Sequence, residues 1–533
     1  MFANPGALLQ FAKDVNEDDD QAPEDEGDYD EGGYFPINIF DVFQGRYSVI
    51  VKLGWGHFST VWLCWDLKCS QFVAIKVMKA SSHYKEVAED EIDILRHIRQ
   101  KDPSNSGRQH VITLLDDFTI NSINGAHDCM VFEVLGDNLL KLIIKTDYVG
   151  IPLENVRTIM KQILLGIDYL HRVCGIIHTD FKPENILLEI DNISLQKLAF
   201  KAFYRLHNRI PLPILFKSNA PKEQLDAQRT QNVRRNKKKM KKKQKKQAKR
   251  QNCNSGEMID LPATNGETQE SIADSSFRVP DGSKVFEGKT YPGYAVDIIC
   301  MGERLLEDEA VKRPDPAFDV CDIKVKIGDL GNACWIDKHF AEDIQTRQYR
   351  SPEVIVGYDY DPSADIWSVA CLAYELATGD YLLNPRNCGG DERDMKHLAL
   401  VHEYFGPLPS YLIAEGKYSK NYYRGSRLRS GHVTKKSSVY ERLTKEEKWP
   451  DYIANVFADF LDMMLKPDPK LRPTAAECLG HPFLSQNYDF SELIHCRKLK
   501  RSKSCSSNDQ YSSSSTSWAS VITAASTHGK LIL

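Results

Sequence analysis

The chain has 533 residues, 74 of them Asp or Glu and 69 Lys or Arg, for a formal charge of −5. That length would suit three or four domains, but long polar tracts reduce the part able to bury a core. Its thirteen cysteines form no CxxC pair and no Cys/His cluster at zinc spacing, and no apolar run reaches membrane-spanning length, which argues against a disulfide scaffold, a zinc ribbon and an integral membrane protein.

Residues 14–31 carry eleven Asp and Glu and no Lys or Arg. Such a segment has too little apolar surface to offset chain entropy, so 1–31 reads as an acidic tail without fixed structure. Folding signals begin near Gly45, with strands expected over Tyr47–Leu53 and Thr60–Trp65 around the turn Gly54-Trp55-Gly56-His57-Phe58-Ser59. The two glycines let backbone close over a polyphosphate, and Val61 beyond the turn can pack on a purine ring. Phe72-Val73-Ala74-Ile75-Lys76-Val77 reads as a buried strand. An unpaired lysine there is costly, which predicts a carboxylate on the next helix; Glu91 is the first choice and Glu89 the second. A strand over Cys129–Phe132 runs into Glu133-Val134-Leu135-Gly136-Asp137, and apolar spacing predicts a long helix from Leu153 to Leu170. The run His178-Thr179-Asp180-Phe181-Lys182-Pro183-Glu184-Asn185 follows.

Between 190 and 320 there are 25 Lys and Arg against 17 Asp and Glu, a segment of +8. Twelve of the seventeen residues from Arg234 to Arg250 are basic, with no aromatic among them. That run attracts phosphate but offers no surface for base stacking, so a transport or retention role is preferred over nucleic-acid contact. Then come Asp329-Leu330-Gly331, Ser351-Pro352-Glu353, Asp365-Ile366-Trp367-Ser368, Leu471-Arg472-Pro473 and a low-complexity serine-rich stretch from Arg501 to Trp518.

In this order the motifs resemble those of protein kinases, and the resemblance implies an α+β bilobal fold, with a β-rich N-lobe, a helical C-lobe, and ATP and Mg2+ as cofactors. It gives Lys76, paired with Glu91, to the phosphates and Leu53, Gly54, Trp55, Gly56, His57, Phe58, Ser59, Val61 and Ala74 to the nucleotide pocket. Glu133 and Leu135 become the adenine-binding hinge behind a gatekeeper Phe132. Asp180 orients the acceptor hydroxyl, Lys182 neutralises phosphate charge and favours Ser/Thr acceptors, and Asn185 and Asp329 hold the metal. Asp365 and the pair Glu353–Arg472 are structural anchors. Thr179 stands where many regulated kinases carry the arginine that binds an activation-loop phosphate, and only 25 residues run from Asp329 to Glu353, so constitutive activity is expected.

The stretches GWGHFSTVWL (54–63), MVFEVLG (130–136), HTDFKPENILL (178–188), IGDLGNACW (327–335), TRQYRSPE (346–353) and DIWSVACLAYELATGD (365–380) are similar to those of SR-protein-specific kinases, whose hallmark is a spacer in this place. The resemblance implies phosphorylation of serines in Arg-Ser repeats of splicing factors, which regulates pre-mRNA splicing, by a monomer shared between cytoplasm and nucleus. Import or chaperone partners would act through the spacer. Asp380 and Glu403 match the family's acidic docking positions, while Lys396 stands where an acid is usual, with Asp391, Glu392 and Asp394 nearby to compensate. The expected organisation is an acidic tail (1–31), kinase segments at 32–190 and 321–486, a largely disordered spacer (191–320) and a serine-rich tail (487–533). The competing readings are a noncatalytic scaffold for splicing factors and a LAMMER-type dual-specificity kinase.

Overall fold

The computed structural model describes residues 5–13, 22–252, 283–311, 313–385, 390–429 and 437–493. After helix α1 (Pro5–Lys13), strands β1 (Val42–Phe43), β2 (Tyr47–Gly56), β3 (Ser59–Asp66), β4 (Gln71–Met78), β5 (Leu114–Asn121) and β6 (Ala126–Phe132) make one antiparallel sheet in the order β1-β2-β3-β4-β6-β5. Side chains alternate across it. Trp62, Cys64, Val73, Ile75 and Val77 pack with Val49, Cys129 and Val131 on one face, and Val61 and Ala74 join the main core on the other. Helix α2 (Ser82–Lys101) follows β4 and buries Ala88, Glu91, Ile92, Ile94, Leu95 and Ile98.

Strand β7 (Leu135–Asn138) leaves the hinge and leads through α3 (Leu139–Lys145) to α4 (Leu153–Asp168), whose apolar stripe lies in the helical lobe. The helix widens over Tyr169–Cys174 and stops at Gly175, which sits at φ 69°. After β8 (Ile176–Ile177) comes β9 (Ile186–Glu189). The spacer then supplies α5 (Asn192–His207), α6 (Lys222–Asn252), the hairpin β10 (Lys284–Phe286) and β11 (Lys289–Tyr291), and helices α7 (Gly293–Cys300) and α8 (Gly302–Glu309). The chain returns as β12 (Val325–Ile327), which pairs antiparallel with β9 in the sheet β12-β9-β7. Helices α9 (Pro352–Val356), α10 (Ser363–Thr378) and α11 (Gly390–Phe405) complete the part of the lobe that carries the site. Residues Ala364 to Thr378 of α10 are all buried, so it is the spine of that lobe.

Two composition-based expectations are corrected. The acidic tail is folded wherever it is described: Leu8, Phe11 and Ala12 of α1 are buried, and Glu24 and Tyr29 are inaccessible to solvent. Glu24 forms an ion pair with Lys52 of β2, and its other oxygen accepts from the Tyr29 hydroxyl at 2.6 Å and from Asn219 N at 3.0 Å. The spacer, expected to be largely disordered, packs as a cap. Its Leu195, Ala199, Phe200, Phe203, Ala295 and Ile299 join Leu8 and Phe11 over Ile50, Val51, Leu63 and Phe72 of the sheet. Neither segment holds enough apolar residues for a core of its own, but each contributes to one that the sheet provides, and local composition does not report borrowed burial. At its base the spacer is latched by Arg313, which pairs with Asp191 at 2.6 Å and Asp308 at 2.9 Å, while Lys197 pairs with Asp308 at 2.8 Å. Residues 253–282 of the spacer and 494–533 of the serine-rich tail lie outside the described residues.

Candidate active site

The glycine-rich turn is a two-residue reversal at His57-Phe58, closed by pairing of Gly56 with Ser59. It is held from outside: the Tyr34 hydroxyl donates to Gly56 O at 2.7 Å, and the Trp55 side chain donates through Nε1 to Ala22 O at 3.2 Å. Across β3 and β4 the register sets Val61 opposite Lys76, and β6 sets Phe132 opposite Ala74. Val61, Ala74, Lys76, Phe132 and Leu135 are buried, Leu53 is half-buried and packs against the same core, and Phe58 is exposed.

Lys76 Nζ donates to both carboxylate oxygens of Glu91, at 2.8 and 2.9 Å. Burial alone would lower the ammonium, but Glu91 and then Asp329 outweigh it and hold the Lys76 pKa above its ordinary value. The lysine is therefore charged and aimed at the cleft. Glu89, the second choice, pairs instead with Lys85 on the outer face of α2.

The two expected metal ligands meet across the long excursion of the chain. Ile186 pairs with Ile327, and Gly328 N donates to Asn185 O at 2.8 Å, so Asn185 and Asp329 stand at neighbouring strand ends. Asn185 Nδ2 donates to Asp180 O at 2.9 Å, which commits its amide nitrogen to the catalytic loop and leaves the carbonyl oxygen as the group with metal-ligand chemistry. Asp180 is held on every side: Lys182 Nζ donates to Oδ2 at 2.5 Å, and Thr346 donates to Oδ1 through its hydroxyl at 2.7 Å and its N–H at 3.1 Å. Burial pushes this carboxyl up, but Lys182 and the Thr346 bond prevail and keep it below the usual range. Asp180 is thus ionised and oriented to accept a proton.

Asp365, fully buried, accepts from His178 N at 2.8 Å and Thr179 N at 2.9 Å, and its Oδ2 bonds the His171 ring at 2.7 Å. Thr179, held by Asp365, has φ 71°, and Asp329 has φ 50°; both are left-handed conformations. Thr179 Oγ1 donates to Asn332 O at 2.8 Å and so joins the catalytic loop to the activation segment without a phosphate. Further along, Gln345 binds Ala364 O and Ser368 Oγ, and Arg350 donates to Gln345 O. Arg472 grips Glu353 with two bonds of 2.6 and 2.7 Å, both side chains inaccessible.

The docking positions are less free than the sequence implied. Asp380 is bonded by Arg442 at 3.0 Å, Glu403 lies half-buried on α11, and Lys396 pairs with Glu392 at 3.3 Å. Asp394, named as a compensating acid, is occupied by Arg347 and by the Tyr422 hydroxyl at 2.9 Å. The side chain of Asp391 lies outside the described residues.

Sequence reasoning missed a buried cluster of acids and tyrosines that includes Glu184 of the catalytic loop. Glu184 Oε2 is buried without a hydrogen-bond partner among the described residues. The Tyr349 hydroxyl donates to Glu375, and burial, then Glu375 and Glu184, push both the Tyr349 and Tyr381 hydroxyls far up. Glu184 sat in plain view inside the catalytic loop, but Glu375 is distant and only the fold joins them.

The sequence profile of the protein kinase domain matches residues 47–200 and 318–484. Human SRSF protein kinase 3 is 42% identical over 516 residues, covering 88% of this chain and 91% of that one. Serine/threonine-protein kinase spk-1 of Caenorhabditis elegans is 40% identical over 87% of this chain and 51% of its own length. Protein kinase dsk1 of Schizosaccharomyces pombe is 38% identical, over 87% and 85%. A crystal structure of a kinase domain superposes with a TM-score of 0.52 at 23% identity, covering 85% of this chain and 99% of that one, and bears on the fold alone. Such domains use ATP with a divalent cation, and the set Lys76, Glu91, Asp180, Asn185 and Asp329 has the chemistry for both. The chain is a protein serine/threonine kinase and belongs to the SR-protein kinase family.

Proposed function

We propose that this kinase phosphorylates serines flanked by arginine in the Arg-Ser repeats of splicing factors, with magnesium as its divalent ion. The observation that carries the reading is the pair of acids Glu184 and Glu375 gathered around Tyr349 and Tyr381, with one Glu184 oxygen left unpartnered among the described residues. A buried carboxylate oxygen with no partner is costly, and a cation entering from the substrate would satisfy it. Half-buried Tyr381 stands against the same acids, and a guanidinium both stacks on an aromatic ring and forks to a carboxylate where an ammonium cannot. Among the described residues no three His, Cys, Asp or Glu side chains cluster as a metal cage. A metal sharing Asn185 and Asp329 with nucleotide phosphates fits the coordination habits of magnesium.

The test is turnover of Arg-Ser and Lys-Ser peptides with Mg-ATP, with Asp180→Ala as the dead control. Arginine preference supports the reading. Equal use of both peptides would favour a LAMMER-type enzyme, and no turnover a scaffold. Glu184→Gln should raise KM for the Arg-Ser peptide severalfold and leave KM for ATP alone. The activation segment's own bonds support activity without phosphorylation, so phosphatase treatment of bacterially expressed enzyme should leave its rate unchanged. The basic run at 234–250 supports a role for the spacer in dividing a monomeric enzyme between cytoplasm and nucleus, through import or chaperone partners, and fluorescence imaging of a Lys-to-Gln variant of that run tests it.

A further inference from the structure

The hinge carries a contact that the kinase motifs do not contain. Lys326 lies in β12 between Val325 and Ile327, both buried in the core, and its side chain leaves on the opposite side. Its Nζ donates to both oxygens of Glu133, at 2.9 and 2.7 Å. Glu133 Oε1 also accepts from Thr113 N at 3.0 Å. Thr113 stands just before β5 in the segment where Ile112 N donates to Ile327 O at 2.9 Å and Val111 bridges Ile327. One carboxylate therefore joins the sheet lobe at Thr113, the hinge at its own backbone, and the strand that reaches Asp329 three residues beyond Lys326. The same hinge is bound on its other side by pairing of Leu135 with Glu189 of β9.

We propose that Lys326 is a positioning residue for the nucleotide. By holding the Glu133 side chain it fixes the hinge peptide whose backbone groups face adenine, and it ties that peptide to the strand ending at Asp329. Lys326 itself touches no nucleotide. The Glu133 side chain is 28% exposed and that of Lys326 11%, so the pair sits at the edge of the hinge with its carboxylate partly open to water. Its effect should appear in how tightly the adenine is held.

The experiment uses the full chain, with a fluorescent ATP analogue for direct binding and steady-state turnover at varied ATP. Lys326→Met should raise both the analogue's Kd and KM for ATP about fivefold, with kcat and peptide KM within twofold of the parent. Lys326→Arg should restore nucleotide affinity. Glu133→Gln, which keeps an acceptor for Thr113, should show the same loss, and the thermal midpoint of each variant separates lost affinity from lost fold. The double variant should be no worse than either single one, because both remove a single contact. Unchanged nucleotide affinity in Glu133→Gln would overturn the proposal, as would failure of arginine to restore it or multiplying losses in the double variant. The binding arm does not depend on which peptide is the substrate.

Discussion

Glu24→Gln tests whether the acidic N-terminal segment belongs to the folded kinase. The change keeps an acceptor for Tyr29 and Asn219 but removes the charge facing Lys52, whose side chain is 1% exposed. Leaving a buried charge without its partner typically costs about 3 to 5 kcal/mol. A second limit is set by the lysine's escape into its neutral form, which costs about 4.6 kcal/mol at pH 7 from an ordinary value of about 10.4. An effect of about 3 to 4 kcal/mol follows, and it should fall on the segment that can lift away. Amide exchange over residues 22–34 and 217–220, measured by mass spectrometry and corrected for intrinsic rates, should accelerate roughly 100- to 1,000-fold. The pH dependence has a defined sign. Burial already lowers the Lys52 pKa, with Glu24 opposing it. Without Glu24 the folded lysine is neutral at a pH where the unfolded one is still protonated, so the unfolded state binds more protons and stability rises with pH. Between pH 7 and 9 the variant should recover about 2.7 kcal/mol. Unaltered exchange in this segment, or no recovery at pH 9, would refute the claim that the ion pair holds it.

Glu353→Gln should lower stability by about 3 to 5 kcal/mol in chemical denaturation, since it leaves the inaccessible Arg472 uncompensated. Lys396→Asp should tighten an Arg-Ser peptide two- to fivefold in a titration at low salt and lose the gain at high salt, because a cation gives way to an anion on the face that carries Glu392. Residues 192–312 can be replaced by a flexible linker, because the two ends of the spacer meet through the Asp191–Arg313 ion pair. The product should nevertheless aggregate or bind a hydrophobic dye in light-scattering and fluorescence assays, since Ile50, Val51, Leu63 and Phe72 lose their cover.

The parts of this enzyme legible in its sequence are those whose chemistry is fixed by neighbours a few positions away. Asp180, Lys182 and Asn185 lie on one loop, and Lys76 announces the need for Glu91 because a buried ammonium must be paired. Asp365 and Arg472 were readable for the same reason: each sits in a short motif with a structural duty. What stayed hidden depends on contacts made at long separation. Glu24 lies in an acidic run and finds Lys52 only because β2 brings it there, and Phe200 and Phe203 are buried only because α1 and the sheet enclose them. Asp394 was read as a free acid, and its capture by Arg347 required the activation segment to fold back against α11. The unpartnered Glu184 oxygen was beyond reach because a sequence shows which groups are present, not which are left unsatisfied.

The pairing of β9 with β12 also has a meaning for biosynthesis. At roughly 5 to 20 residues per second, a ribosome needs about 7 to 30 s to proceed from Asn185 to Asp329. For that interval the nascent chain holds a finished glycine-rich sheet and an unclosed strand, with half of the metal site not yet translated. The helices α5, α7 and α8 emerge during the wait and can settle on the sheet's apolar face, shielding the newborn lobe from aggregation until its missing strand arrives.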